Sequence, residues 1–304
     1  MKELNTLTAI KTPYDETGRF DFHALDVLME SQIEGGVEGI IVGGTTGEGH
    51  LMSWPCHVML IAHCSKHFGD RIKIVGNVGS NNTGEAVYAS QQGFAVGMDA
   101  ALHINPYYGK TNEQGVIRHL EEAMEHGPTY LYNVPGRTGQ DIEPHIVEHF
   151  ADHPHLVGVK ECMGFDRIAH YAEKNILCWS GNDDDSFDTR HNAGGQGVIS
   201  VTANIVPGIM SSLMKGPIDQ ELHGHVKELM AWLFAEPNPI CVNTMLMMMG
   251  LCKPVFRLPY LPCSKEHRVK GKEILEKIGL ENLPGGVTEI RVMEDSEFIA
   301  LPMH

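Results

Sequence analysis

Eight short, apolar, β-rich segments recur along the first 200 residues, and this rhythm limits most strongly what the chain can fold into. They are "LTAIKTP" near residue 10, "GIIVGG" at 39–44, "IKIVGNV" at 72–78 and "AALHINPYY" at 100–108. "TYLYNVP" at 129–135, "LVGVKEC" at 156–162, "ILCWSGND" at 176–183 and "GVISV" at 197–201 complete the set. Several are nearly continuous apolar runs, the pattern of strands buried on both faces of a parallel sheet. The stretches between them read as helices. "FHALDVLMESQIEGG" places Leu25, Leu28, Met29 and Ile33 at helical spacing and stops at Gly35-Gly36. "SWPCHVMLIAHCSKHFGD" opens on Ser53, a good N-cap, and closes at Gly69. Eight strands spaced by roughly 20–33 residues around helices suit an α/β chain folded as a (β/α)8 TIM barrel. A doubly wound open sheet is the main rival.

Beyond residue 204 the rhythm changes. "ELHGHVKELMAWLF", "NPICVNTMLMMMG" and "SKEHRVKGKEILEKIG" read as three successive helices with no strands between them. The expected organisation is a catalytic barrel over 1–215 and a C-terminal helical extension with its tail over 216–304. Met245, Met247, Met248 and Met249 read as adaptable core filling. The tail "MEDSEFIALPMH" reads as a segment docked on the surface. With 304 residues, 42% of them apolar, the chain can bury the core such a fold needs.

A net charge of −16 argues against nucleic acid and anionic membranes as partners, since both favour basic faces. No apolar run approaches the length of a transmembrane helix. The N-terminal "MKELNTLTAIKTPYDETGRF" shows neither a secretory apolar core nor transit-peptide character. The seven cysteines contain no CxxC pair, which points to free thiols in a reducing compartment and not to zinc. His63 and His67 stand i, i+4 on a helix without an evident third ligand, and His145, His149, His153 and His155 read as solvated, so no metal site is expected.

In a barrel of this kind the chemistry lies at the C-terminal ends of the strands. Those ends carry "GGTTGEGH", "NPYYGK", "YNVPGRTG", "VKEC" and "SGND", which gather hydroxyl, phenol, guanidinium and amine groups on one rim. Lys160 follows the apolar run Leu156-Val157-Gly158-Val159. A strand-end lysine ordinarily snorkels its ammonium to water. Held in apolar surroundings it instead loses basicity, and the free amine can attack a carbonyl to form a Schiff base whose iminium is an electron sink. That chemistry needs a proton shuttle. Tyr132 and Tyr108 are candidates, with Thr45 able to bridge them because a hydroxyl both donates and accepts. "GGTTGEG" has neither the Lys-Ser/Thr of a P-loop nor G-x-G-x-x-G spacing, so its glycines turn backbone amides toward a small carboxylate and not a nucleotide. Thr46 adds a hydroxyl there, and Arg137 can clamp a second carboxylate with two parallel hydrogen bonds.

Taken together, "GGTTGEG", "NPYYGK", "YNVPGRTG", "GVKEC" and "SGNDD…GVISVTAN" resemble the dihydrodipicolinate synthase family from about residue 6 to the C-terminus. "IVGGTTGEGHLMSW", "AALHINPYYGKT", "AWLFAEPNPI" and "PVFRLPY" bring the chain nearest to plant and green-lineage members. The resemblance implies a lyase that condenses pyruvate with aspartate-4-semialdehyde on the diaminopimelate route to lysine. It implies the Schiff base at Lys160 with no separate cofactor, and a proton relay of Tyr132, Thr45 and Tyr108, the last reaching in from a neighbouring subunit. Thr46 would hold the pyruvate carboxylate, Arg137 the semialdehyde carboxylate, and Ile199 would touch the bound keto acid through its backbone. A homotetramer is implied. So is feedback inhibition by L-lysine at a subunit interface, with His50, Trp54, His57, Asn81, Glu85 and Tyr107 at the matching positions. For a green-lineage chain the resemblance implies the chloroplast stroma, with a transit peptide absent from these residues, and otherwise the cytoplasm.

Two rivals stand beside this reading. A related pyruvate aldolase acting on sugar acids shares "GVKE", but has no need of a second carboxylate clamp such as Arg137. A barrel that has lost turnover and only senses lysine or pyruvate is opposed by the intact set of Lys160, Tyr132, Thr45 and Tyr108.

Overall fold

The computed structural model describes residues 1–302; Met303 and His304, the end of the expected tail, lie outside the described residues. Eight parallel strands close into a barrel in sequence order. They are β1 (Thr6–Ala9), β2 (Gly39–Val42), β3 (Lys73–Asn77) and β4 (Ala100–Ile104), then β5 (Thr129–Asn133), β6 (Leu156–Glu161), β7 (Cys178–Ser180) and β8 (Gly197–Ser200). The (β/α)8 barrel predicted from the strand rhythm is therefore the fold, and the open-sheet rival is excluded by the closure. That closure is visible in two backbone bonds, Val198 N–H to Asn5 carbonyl at 2.8 Å and Glu38 N–H to Thr6 carbonyl at 3.0 Å.

The helices follow the predicted alternation: α1 (Phe22–Glu34), α2 (Trp54–Phe68), α3 (Thr83–Ala95) and α4 (Glu113–Met124). Next come α5 (Pro135–Thr138), α6 (Pro144–His149), α7 (Phe165–Glu173) and α8 (Asp183–Asn192). Starts are set by side-chain caps: Asp21 accepts from Ala24 N–H, Asn82 from Gly84 and Glu85, and Asn112 from Gly115. Val116, Leu120, Leu131, Val159, Ile168 and Tyr171 share a buried cluster in which helix faces meet the outside of β5 and β6.

By contact density the chain forms two compact units. One comprises residues 1–7, 38–43 and 52–200; the other comprises 8–37, 44–51 and Val201 onward. In the second unit lie α9 (Pro207–Lys215), α10 (Gln220–Leu233), α11 (Ile240–Met248) and α12 (Lys265–Ile278). The last three are the predicted helices, and Met245, Met247, Met248 and Met249 are buried as expected. One expectation is corrected. A short strand, β9 (Val255–Arg257), separates α11 from α12 and pairs in parallel with β10 (Ile299–Leu301). Three residues carry no readable periodicity, and β9 exists only because the tail supplies its partner 42 or more residues later.

The register between β5 and β6 has a consequence for the rim. Thr129 pairs with Leu156, but Tyr130 pairs with Gly158, so Val157 is an extra residue on β6. This bulge shifts the pairing by one and sets Tyr132 beside Lys160 and Asn133 beside Glu161. Without it Tyr132 would stand beside Val159. Gly158 permits the neighbouring approach, because a Cβ there would collide with the Leu177 carbonyl and lie 2.7 Å from the Trp179 ring. Gly158→Ala is expected to destabilise the protein by about 1–3 kcal/mol through overpacking against backbone. The check is a thermal melt, which should show a lower midpoint than the wild type.

Candidate active site

The barrel rim of the first unit is built around Lys160. The residue is the fifth of six buried positions in β6 and only 6% exposed. Its Nζ lies 4.3 Å from the centroid of the Tyr132 ring, which is buried on β5. Burial holds the lysine below its ordinary pKa; the neighbouring Cys162 and Asp183 pull the other way, and Arg137 adds to the lowering. The wall behind the lysine is Gly181 at the end of β7. A Cβ at Gly181 would lie 3.0 Å from Lys160 Cε, so the absence of a side chain there keeps the lysine stem in place.

Tyr132 lies beside Lys160 and beside Cys162, a neighbour that was not anticipated. Burial pushes its phenol well above the ordinary value, the nearby Cys162 adds to this, and the positive charge of Arg137 opposes it. The Tyr132 phenol and the Cys162 thiol interact, which raises the phenol and lowers the thiol. Cys162 itself is pushed up to about 11, chiefly by burial, so it is a neutral thiol near pH 7 and not a nucleophile. Its place was legible as the residue two beyond the lysine, but its partner was not, because β5 contributes it.

Glu161 faces the other way and is fully buried. Asn133 Nδ2 donates to its two carboxylate oxygens at 2.9 and 3.1 Å, and the Met163 N–H donates at 2.8 Å. Arg167 stands 4.0 Å away and pairs at 2.8 Å with Asp141, which also accepts from Asn133 at 2.6 Å. Burial raises the Glu161 carboxyl to about 7 against these hydrogen bonds. This network ties β5 and β6 together one residue beyond the Tyr132–Lys160 pair. The sequence marks it only as a glutamate after a lysine.

Arg137 is exposed on the four-residue α5, which Gly139 closes in the left-handed conformation at φ 74°. The loop carrying Tyr107 and Tyr108 is tied to the same segment. Gln140 Nε2 donates to the Thr111 carbonyl at 2.8 Å, and Asn105 Nδ2 donates to the Gln140 carbonyl at 2.8 Å. Tyr108 is 94% exposed, and its backbone takes φ 66°, a conformation costly for a residue with a side chain. Ile199 is fully buried on β8.

Among the positions matched to a lysine site, Trp54 stacks on His57 with centroids 5.4 Å apart at 13°. His57 is buried, and that burial lowers its imidazole to about 4, so the ring is neutral. Asn81 Nδ2 donates to the Tyr107 carbonyl at 3.2 Å, and Glu85 accepts from Ser80 at 2.8 Å. The exposed Glu85 and Asn81 and the half-buried Trp54 and Tyr107 all belong to the first unit.

Thr45, Thr46 and His50 belong to the second unit. Thr46 is buried and accepts from Asn238 Nδ2 at 3.1 Å. Thr45 is half-buried, and its carbonyl takes the Glu48 N–H at 3.0 Å. His50 is exposed and shares a 2.9 Å hydrogen bond with the Tyr260 hydroxyl. The glutamate of "GGTTGEG" was not read as a functional residue, yet it is buried against Lys11 at 2.6 Å. All seven cysteines are free, five of them buried, and no group of three metal-ligating side chains occurs among the described residues.

The chain has counterparts among known proteins. Residues 2–278 match the Dihydrodipicolinate synthetase family. The chain is 54% identical over 301 residues to "4-hydroxy-tetrahydrodipicolinate synthase 2, chloroplastic" of Triticum aestivum, covering 99% of this chain and 80% of that protein. Dihydrodipicolinate synthase from Acinetobacter baumannii, solved in complex with pyruvate, superposes with a TM-score of 0.87 at 33% identity, covering 91% of this chain and 99% of that one. The enzyme from Cyanidioschyzon merolae, solved with lysine bound, superposes at 0.86 with 26% identity over 92% and 99% of the two chains. The chain is an enzyme and belongs to the dihydrodipicolinate synthetase family.

Proposed function

We propose that the chain condenses pyruvate, held as a Schiff base on Lys160, with aspartate-4-semialdehyde to give 4-hydroxy-tetrahydrodipicolinate. The observation that carries this reading is the buried Lys160 amine, held below its ordinary pKa and seated 4.3 Å from the Tyr132 ring centroid. Complexes named with pyruvate and with lysine among the structural relatives support the ligands. The neutral amine attacks C2 of pyruvate; the carbonyl oxygen leaves as water after receiving protons, and the C=N bond forms. The iminium draws electrons from C3, which loses a proton to give an enamine. That carbon then adds to the aldehyde of the semialdehyde, whose oxygen takes up a proton.

Tyr132, Thr45 and Tyr108 move these protons. The near-complete exposure of Tyr108 and its left-handed backbone suit a side chain that completes the site of a neighbouring copy in a homotetramer. Thr46 and the Ile199 backbone hold the keto acid, and Arg137 pairs with the semialdehyde carboxylate. Both substrates are anions meeting a chain of net charge −16, so a local cation at Arg137 and the iminium supply the attraction. No further cofactor enters this chemistry. The chloroplastic relatives support a plastid site of action for a green-lineage protein.

L-Lysine acts as an inhibitor at His50, Trp54, His57, Asn81, Glu85 and Tyr107 in this reading. The exposed Glu85 suits the ligand ammonium, and the Trp54 and Tyr107 rings suit its aliphatic stem and cationic end.

Three outcomes test the proposal. Borohydride added with pyruvate should leave a reduced adduct on the Lys160 peptide by mass spectrometry; an unmodified peptide from active protein would sink the mechanism. Because only the free amine attacks, the trapping rate should rise with pH through a midpoint below 10.5, the ordinary lysine value. In a coupled assay with both substrates, Trp54→Ala should keep activity while needing more lysine for half-inhibition, by about tenfold for a lost aromatic wall. Equal inhibition of the variant and wild type would refute that site.

A further inference from the structure

In the second unit two charged side chains are removed from water without any catalytic role assigned to them. Lys11 follows β1, and Glu48 lies in the "GGTTGEG" turn; both are fully buried, and Lys11 Nζ meets Glu48 Oε1 at 2.6 Å. Asn243 of α11 donates from Nδ2 to that same oxygen at 2.7 Å. The lysine also lies 5.1 Å from the Tyr14 ring centroid. Burying both ions costs several kcal/mol, and well-packed apolar side chains of similar volume commonly serve stability as well or better. What the ions supply is one geometry, fixed by direction as well as by volume.

The geometry they fix is that of the turn. Glu48 takes φ 58°, an unfavourable conformation for a side chain with a Cβ, and its N–H closes the turn onto the Thr45 carbonyl. The carboxylate, drawn to Lys11 and Asn243, holds the residue there. The two threonines that precede it therefore inherit their positions from a strand end and from a helix some 195 residues away in sequence.

We propose that Lys11, Glu48 and Asn243 are positioning residues that hold the Thr45–Thr46 turn in the shape that captures the carboxylate of a small 2-keto acid. The inference rests on the pyruvate reading above. None of the three touches the keto acid; each acts through the turn.

The test compares wild type, Lys11→Met/Glu48→Gln and Asn243→Ala by two measurements on the full chain. One is the thermal midpoint. The other is the pyruvate concentration giving half-maximal borohydride trapping on Lys160. The double variant should keep its thermal midpoint while needing about tenfold more pyruvate, the loss expected for a hydrogen bond to a charged group. Its trapping at saturating pyruvate should still reach the wild-type level, since Lys160 is untouched. Asn243→Ala leaves both charges in place and should shift half-saturation in the same direction; it decides the question if the double variant does not fold. Wild-type half-saturation in Asn243→Ala, with or without a lowered midpoint, would overturn the inference and leave the pyruvate reading standing. Absence of any adduct in the wild type would overturn both.

Discussion

The rim depends on keeping one amine out of water beside one phenol. Lys160 and Tyr132 lie side by side on adjacent strands, each deeply buried, and each is pushed toward its neutral form by that burial. Held neutral, the amine keeps its lone pair for attack and the phenol keeps its proton, whereas an ammonium at the same place would demand a counter-ion. The Val157 bulge supplies the adjacency, and the Gly158 and Gly181 backbones leave room for it. The Glu161–Asn133–Asp141–Arg167 network stands directly behind and locks the two strands at that offset. Charge is thus kept one residue beyond the amine and on the outer side of the barrel.

The second unit handles charge differently. There a lysine and a glutamate are buried together, with an asparagine from α11 completing the set, and the turn that carries Thr45 and Thr46 is their product. The chain from Asn238 into α11 helps hold that turn, since Asn238 donates to Thr46 and Asn243 to Glu48.

Much of the fold is legible in the sequence. The near-continuous apolar runs forced a parallel sheet, because strands covered on both faces leave no polar alternation. The regular spacing favoured a barrel over an open sheet, and a barrel carries its chemistry at the strand ends. Residues named from strand ends, such as Lys160, Tyr132 and Arg137, came from this reasoning. Cys162, Glu161, Lys11 and Glu48 did not, because each takes its meaning from a partner on another element. The strand β9 was missed for the same reason: three residues have no period of their own, and their partner is supplied by the tail.

The sequence by itself determined the alternation of parallel strands with helices and the identity of the groups at the strand ends, since local periodicity is a property of the chain. Closure into a barrel was decided by the structure. The tertiary structure alone decided which groups touch. A one-residue bulge chose Tyr132 over its neighbours as the partner of Lys160, and long-range burial chose Glu48 as the anchor of the threonine turn. Register and desolvation are relations between distant segments, and no local pattern encodes either one.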